Sequence, residues 1–327
     1  MLAFFARRFV YAIVTLAFIS LAGFLIINLP AGTYLDVYIA QLESQGTLTS
    51  EAQIETIKRQ FGLDEPLYVQ YLKWISGFVR GDFGISFAYN TPVADLIWSR
   101  LGFTALISFG SLLLTWLIAI PIGIYSATHQ YSLGDHAVTV LGLAGLSIPN
   151  FVLALFLMIV ASRVFGQHIG GLYSPEYIDA PWSWGKLVDL ANHLWIPVVI
   201  IATSGTAGLI RIMRGNLLDI LNMQFIQAAR ARGVAEWLVI VKHAVRNAVH
   251  PLVMMLGMSL PSIISGATIV SIVLSLPTTG PMYFQALQNK DMYLAGTFLM
   301  FLAVMLVIGN FLADLLLAWV DPRIRLE

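Results

Sequence analysis

Six stretches without an acid or a base are spaced along the chain, separated by polar segments. They are Phe9–Leu29, Leu101–Thr128, Ala137–Ser162, Leu194–Ile210, the run from Pro251 up to Lys290 (its apolar part ends near Leu276), and Met292–Ala313. A hydrocarbon layer about 30 Å thick takes roughly 20 apolar residues as a helix. The pattern therefore predicts an all-α protein with six membrane spans. The fourth run is short for a span and is expected to continue past Arg211, whose long side chain can reach back to water. The first run exceeds the apolar core of a secretory signal, and no small-residue cleavage site follows it, so it reads as a retained span. Pro121, Pro149 and Pro197 fall inside these runs and are expected to kink them. Gly142, Gly145, Gly205, Gly208 and Gly257 would let helices approach closely.

Residues 31–100, between the first two runs, carry helix signals of their own. Ser50 with Gln53 makes a capping pattern, Ile54, Ile57 and Phe61 follow at helical spacing, and Gly62 closes that helix. A second helix begins near Asp64, Glu65 and Pro66, with Leu67, Tyr71, Trp74, Ile75 and Phe78 on its apolar face. Thr91 and Pro92 predict a third, short helix leading into the second span. Trp74 and Trp98 are candidates for the headgroup level.

Composition agrees. The 327 residues are 58% hydrophobic and 11% charged, with a mean hydropathy of +0.80; soluble domains carry about 25% charged residues. The formal net charge is zero, which gives no argument for nucleic acid. There is no cysteine, which excludes disulfides, thiolate metal sites and cysteine nucleophiles. Arg7, Arg8, Arg211, Arg214, Arg230, Arg232, Lys242, Arg246, Arg323 and Arg325 fall at one set of span ends. The opposite set, with Lys58, Arg59, Lys73, Arg80, Arg100, Lys186 and Lys290, is longer and richer in acids. The bias predicts both termini and the 211–250 segment on the cytoplasmic side, and 30–100, 163–193 and 277–291 outside.

No phosphate-binding glycine loop, His-Glu-x-x-His pair or serine elbow occurs, and the six histidines are scattered. The runs hold no clearly central ionisable group, where ion-coupled carriers usually place one. If the chain moves a solute, its energy must enter through another subunit. Only the segment from 214 to 250 is polar, basic and helical enough to receive it. Its pattern predicts two helices: one with Leu217, Ile220, Leu221, Phe225 and Ala228 on its apolar face, ended by Gly233, and one with Trp237, Ile240, Val241, Ala244 and Val245, after which Pro251 opens the next span. A self-sufficient carrier or channel, and a membrane-embedded enzyme, are the competing classes. The enzyme would need a catalytic cluster that the sequence does not display.

The stretch FIQAARARGVAEWLVIVKHAVRNAVHPL, from Phe225, resembles the coupling loop of ABC importer permeases, with Ala228, Ala229, Gly233 and Pro251 matching and Gln227 where an acid is common. FGLDEPLYVQYLKWISGFVRGDFGISF, the opening RRFVYAI and the closing DPRIR resemble the dipeptide, oligopeptide and nickel branch, so the likeness runs over essentially the whole chain. It implies a type I ABC importer permease fold: a first span with the N-terminus in 1–30, an outer helical segment in 31–100, a transmembrane domain in 101–318 with its coupling loop at 214–250, and a tail in 319–327. It implies coupling to an ATPase through Gln227, Ala228, Ala229, Arg230, Arg232, Gly233 and Trp237. The implied partners are a second homologous permease, two ABC ATPase subunits, which bind the ATP, an extracytoplasmic solute-binding protein, and membrane lipid. The chain itself is expected to bind no cofactor and no metal. Between the last two spans, where relatives carry a Glu ahead of a Pro-Gly turn, this chain has SIVLSLPTTGPMYF. Pro277, Thr278, Thr279 and Gly280 are therefore candidates for an outward gate without the acid, which favours a neutral or sugar-like solute over a charged peptide.

Overall fold

The computed structural model describes residues 2–29, 32, 34–44, 54–56, 58–59, 62–166 and 170–320. The Ser50–Gln53 cap, Ile57, Phe61 and the tail from 321 lie outside the described residues. In chain order the helices are α1 (Leu2–Asn28), α2 (Tyr34–Ser44), α3 (Leu67–Arg80), α4 (Val93–Thr128), α5 (Leu133–Ser147), α6 (Asn150–Phe165), α7 (Trp184–Leu221), α8 (Gln224–Ala231), α9 (Glu236–Met258), α10 (Leu260–Ser265), α11 (Thr268–Val273), α12 (Thr279–Gln288) and α13 (Met292–Val320). Among the described residues there is no strand, only an isolated bridge between Ile85 and Pro92.

Four helices are long and apolar enough to cross a membrane alone: Arg7–Asn28, α4, α7 and Met292–Leu315. Two bent pairs complete the six expected spans if each crosses once. One is α5 with α6, turned by 96°, and the other is α9 with α10 and α11, turned by 51°. The third run was expected as one helix. It breaks because a proline disfavours helical geometry in the residue before it: Ile148 is extended (φ −88°, ψ 118°) and Pro149 caps α6. Pro121 and Pro197, by contrast, sit inside α4 and α7 without ending them. As expected, the fourth span runs past Arg211, reaching Leu221. The separate short helix expected at Thr91–Pro92 does not exist; α4 starts at Val93 and is continuous, since nothing between Val93 and Leu101 breaks it.

Contacts divide the chain into two compact units, 1–102 with 278–307, and 103–277 with 308–326. The first unit is held by aromatic rings. Phe24 meets Tyr71 and Trp74, with centroids 5.3 and 6.4 Å apart, and Phe83 meets Phe301 at 5.3 Å. Trp74 does not face lipid headgroups: it is 2% exposed and its indole N–H donates to Thr297 Oγ1 at 3.3 Å. Trp98 is open, as that role requires. Leu67, expected on the apolar face of α3, is exposed because the buried seam runs through Trp74. Asp291, just ahead of α13, is fully buried. Its carboxylate accepts from Ser86 Oγ (2.5 Å), the Ala88 N–H (3.0 Å) and the Leu294 N–H (3.1 Å), which ties the 86–88 turn to the start of α13.

In the second unit, α7 is the axis. Its first half packs with α6 and α11 around Ile196, Ile200, Ala154 and Val270. Its second half packs with the end of α4, α8 and α9 around Met213, Leu217, Ile226, Val239, Ala244 and Leu252. α9 and α13 touch backbone to backbone at Gly257 and Gly309, where a Cβ on either residue would lie under 3.0 Å from the other's carbonyl oxygen. Gly257 thus has the close-approach role expected of it. Gly208 does not, since a Cβ there meets nothing.

Two outcomes follow from these contacts. Gly309→Val should destabilise the folded chain by about 1–3 kcal/mol, the usual cost of overpacking, whereas Gly208→Ala should be silent in the same thermal-unfolding assay in detergent. Burial raises the Asp291 carboxyl above its ordinary value of 3.8, against its hydrogen bonds. The folded state therefore binds this proton more tightly than the unfolded one, and the contribution of Asp291 is full below its unfolded value and lost as pH rises through the folded one. Melting temperature compared between the protein and Asp291→Asn should show the difference shrinking as pH rises; a pH-independent gap would refute it.

Candidate functional site

The polar segment after α7 is built on the spans themselves. α7 ends at Leu221, Asn222 caps it, and Met223 turns extended (φ −73°, ψ 150°) to start α8. The expected helix from 216 to 233 is therefore two helices with a corner at Asn222–Met223. The corner rotates the buried face. Leu217 and Ile220 are buried as expected, but in α8 the buried residues are Ile226 and Ala229, not Phe225 and Ala228. Ile226 is 0% exposed, so α8 is fixed to the lower half of α7 and cannot drift over the surface.

The end of α8 is set by Gly233. Its φ is +74°, its N–H donates to the Arg230 carbonyl at 2.9 Å, and the Val234 N–H donates to the Ala229 carbonyl at 3.3 Å, a left-handed glycine closure. A Cβ at Gly233 would touch nothing, so conformation alone demands glycine here. Arg232 Nε donates to the Ala228 carbonyl at 3.3 Å, which satisfies an end carbonyl. Arg230 forks onto Glu236 across the turn, at 2.6 Å from Nη2 to Oε1 and 3.1 Å from Nε to Oε2. Both side chains are well exposed, so the pair adds less than about 1 kcal/mol to stability.

The second expected helix is the start of α9, continuous with the next span through Pro251. Its residues Val239–Val245 form a π-helical turn, whose wider repeat moves the buried stripe. Val239, Ala244 and Ala248 are buried, whereas Trp237 (65%) and Val241 (59%) stand in the open. The apolar face expected through Trp237, Ile240, Val241, Ala244 and Val245 is thus corrected: of these five only Ala244 is buried. The free surface of the α8–α9 corner carries Phe225, Gln227, Ala228, Arg230, Arg232, Gly233 and Trp237. It is a small ridge with two aromatic rings, an amide and two guanidinium groups, fit to enter a cleft with a polar rim. All seven residues singled out from the sequence lie in this corner, and only Ala229 is buried.

An ion pair that the sequence did not reveal joins α5 to α7 just outside the uncharged runs, which themselves hold no charge, as expected. Asp135, at the start of α5 and 3% exposed, accepts from Arg214 of α7 at both oxygens (Nε–Oδ1 3.1 Å, Nη2–Oδ2 3.0 Å), from the Tyr131 N–H at 2.9 Å, and from the Ser126 hydroxyl. Four donors offset the cost of burying the carboxylate. The pair joins the 129–132 turn to the stretch of α7 that precedes α8. Ser132 with Asp135 reads as a helix cap, and the Asp135 N–H does donate to Ser132 Oγ at 3.1 Å. Nothing in the sequence links them to Arg214, 79 residues on.

The other candidate turn has a different character. Leu274 and Leu276 are buried, Ser275 adopts φ +53°, and Pro277 is exposed. Thr278, Thr279 and Gly280 are buried at the start of α12, and Thr278 Oγ1 has no hydrogen-bond partner. The two hydroxyls are therefore not displayed on an open surface of this chain. Among the described residues no group of three His, Asp or Glu side chains could hold a metal.

An all-helical chain with four to six helices apolar and long enough to cross a bilayer defines a multi-pass membrane protein. Residues 119–326 match the family described as binding-protein-dependent transport system inner membrane component, and residues 1–108 match the family of its N-terminal part. The oligopeptide transport system permease protein AppB of Bacillus subtilis is 36% identical over 327 residues, covering 99% of this chain and all of that one. A putative peptide permease protein of Brucella ovis is 31% identical, and the dipeptide transport system permease protein DppB of Escherichia coli K12 is 29% identical, each covering 99% of both chains. The chain belongs to this family of binding-protein-dependent permeases. It is a multi-pass inner-membrane permease subunit of an ABC importer with the type I fold, and ATP is hydrolysed in separate subunits of the complex.

The Asp135–Arg214 pair has a measurable signature. Arg214→Ala should cost about 3 kcal/mol or more, because the buried Asp135 charge is left without its cation, and Asp135→Ala should cost less, because Arg214 keeps partial access to water. The double variant should lose less than the two singles together, as read by thermal unfolding of the purified chain; strict additivity would show that the pair is not coupled.

Proposed function

We propose that the α8–α9 corner is the coupling element of a peptide importer. One of the complex's two ATPase subunits docks on Phe225, Gln227, Ala228, Arg230, Arg232 and Trp237 from the cytoplasm, where both termini also lie. A second homologous permease pairs with this chain, the pathway runs between the two, and a solute-binding protein delivers cargo on the far side. The chain holds no cofactor, and ATP stays on the partners. The observation that carries this reading is the rooting of α8: one face is buried on α7 through Ile226 and Ala229, and the other presents Phe225 and Arg230 outward. A displacement of α8 must therefore move α7, a span of the bundle, and rigid-body motion of spans is how such proteins alternate access. The Arg and Lys residues gathered at these span ends support the cytoplasmic placement.

Peptide is the cargo class in the names of the relatives AppB and DppB. One observation favours a neutral, sugar-like solute instead: the Ser271–Phe284 stretch has no acid to meet a peptide's ammonium group. A binding screen with the cognate solute-binding protein separates the two. Short peptides should bind, and a binding protein that takes oligosaccharides and refuses peptides would move the cargo assignment without touching the coupling one.

Coupling has its own test. Gly233→Val puts a β-branched residue at φ +74°, at a cost of roughly 1–2 kcal/mol or more in backbone strain, and should distort the end of α8. Transport per ATP hydrolysed, measured in vesicles, should fall at least severalfold while the subunits still co-purify. Unchanged transport in this variant would overturn the assignment.

A further inference from the structure

A cleft of about 170 Å³ opens between α4, α5 and α7, beside the buried ion pair. Its lining is graded. Ser126, Thr139, Arg211 and Arg214 lie toward the helix ends, while Gly142, Leu143 and Ala207 lie about one turn deeper along α5 and α7. The polar groups at the mouth are not equally available. Arg214 is committed to Asp135, the Ser126 hydroxyl donates to the same carboxylate, and the Thr139 hydroxyl donates to the Asp135 carbonyl at 2.8 Å. Arg211 is different: it is exposed, and it makes no ion pair or hydrogen bond with any described residue. Asp135, the carboxylate beside the cleft, is already occupied by Arg214, Ser126 and the Tyr131 N–H. The mouth is therefore left with one uncompensated guanidinium, directly after the uncharged run 194–210 that crosses the membrane.

A guanidinium offers five N–H donors in a planar fork, a geometry that matches phosphate oxygens. Basic pockets between spans at the membrane boundary attract anionic headgroups, at about 1 kcal/mol per cation. The deeper wall of small and apolar residues suits methylenes rather than water. We propose that this cleft is a binding site for one anionic phospholipid, with its phosphate on Arg211 and the top of an acyl chain along Gly142, Leu143 and Ala207. The lipid would fill the gap between α5 and α7 and brace the bent α5–α6 pair against the helix that carries α8. The site rests on the membrane-spanning character of α4, α5 and α7, and stands whether or not α8 is the docking helix.

The test is native mass spectrometry of the assembled transporter, extracted from bilayers with equal amounts of phosphatidylglycerol and phosphatidylcholine. The intact protein should retain phosphatidylglycerol in preference. Arg211→Gln should cut that preference about fivefold, the equivalent of one cation, and Arg211→Lys should keep most of it. An unchanged preference in Arg211→Gln would overturn the proposal. So would displacement of the lipid by millimolar inorganic phosphate, which would mark a free-anion site. Loss of a subunit from the Arg211→Gln assembly with its lipid count intact would assign Arg211 to a protein contact, and would overturn the proposal too.

Discussion

The apolar seam between the lower half of α7 and the α8–α9 corner is the interaction on which the rest of the second unit depends. Met213, Leu217, Ile226, Val239, Ala248 and Leu252 are all 0% exposed and share one cluster. A polar segment that merely lay on a membrane would have no reason to send Ile226 and Val239 into the same core as a span. Because it does, a push on α8 is carried by close-packed side chains, which transmit displacement rather than absorb it. The Asp135–Arg214 pair extends the same rigidity sideways, to the turn that starts α5. Around this stiff region the chain places its bends at Ile148–Pro149, at the π-helical turn of α9 and at the junction of α9 with α10.

The polar chemistry of the molecule is concentrated where spans end. Asp135 and Arg214 join span ends in the second unit, and Asp291 anchors the start of α13 in the first. Each buried carboxylate is met by three or more donors, which is the condition for burying it at all. Charges at span ends serve structure and boundary placement, and the long central stretches are left free of them. This is what an importer subunit driven by ATP elsewhere requires, since no ion has to be bound and released midway.

Much of the α8–α9 corner was legible in the sequence. Gly233 was readable as a helix end because a left-handed closure strongly favours glycine, and Ala228 with Ala229 stood out through the family resemblance alone. The positions of the buried and exposed faces were not legible. An extended Met223 resets the helical phase between α7 and α8, and a π turn resets it again in α9, so a face extrapolated at a constant 3.6-residue repeat arrives on the wrong side at Phe225 and again at Trp237. That error is instructive, since the residues wrongly assigned to the core are the aromatic rings that the corner displays. Thr278 and Thr279 show the converse, two hydroxyls that read as a polar turn and are buried at the start of α12.

The sequence by itself determined the solvent of this protein, its all-helical class and the glycine that ends α8. Those properties follow from run length, charge and single glycines, which act locally. Only the tertiary structure decided that Arg214 belongs to Asp135 rather than to a basic loop, that Arg211 is left facing an amphipathic cleft, that Gly257 meets Gly309, and that Trp74 is core while Trp98 is not. Each of these is a choice between partners far apart in the chain. The periodicity of a helix says which side a residue faces, but not which helix lies there.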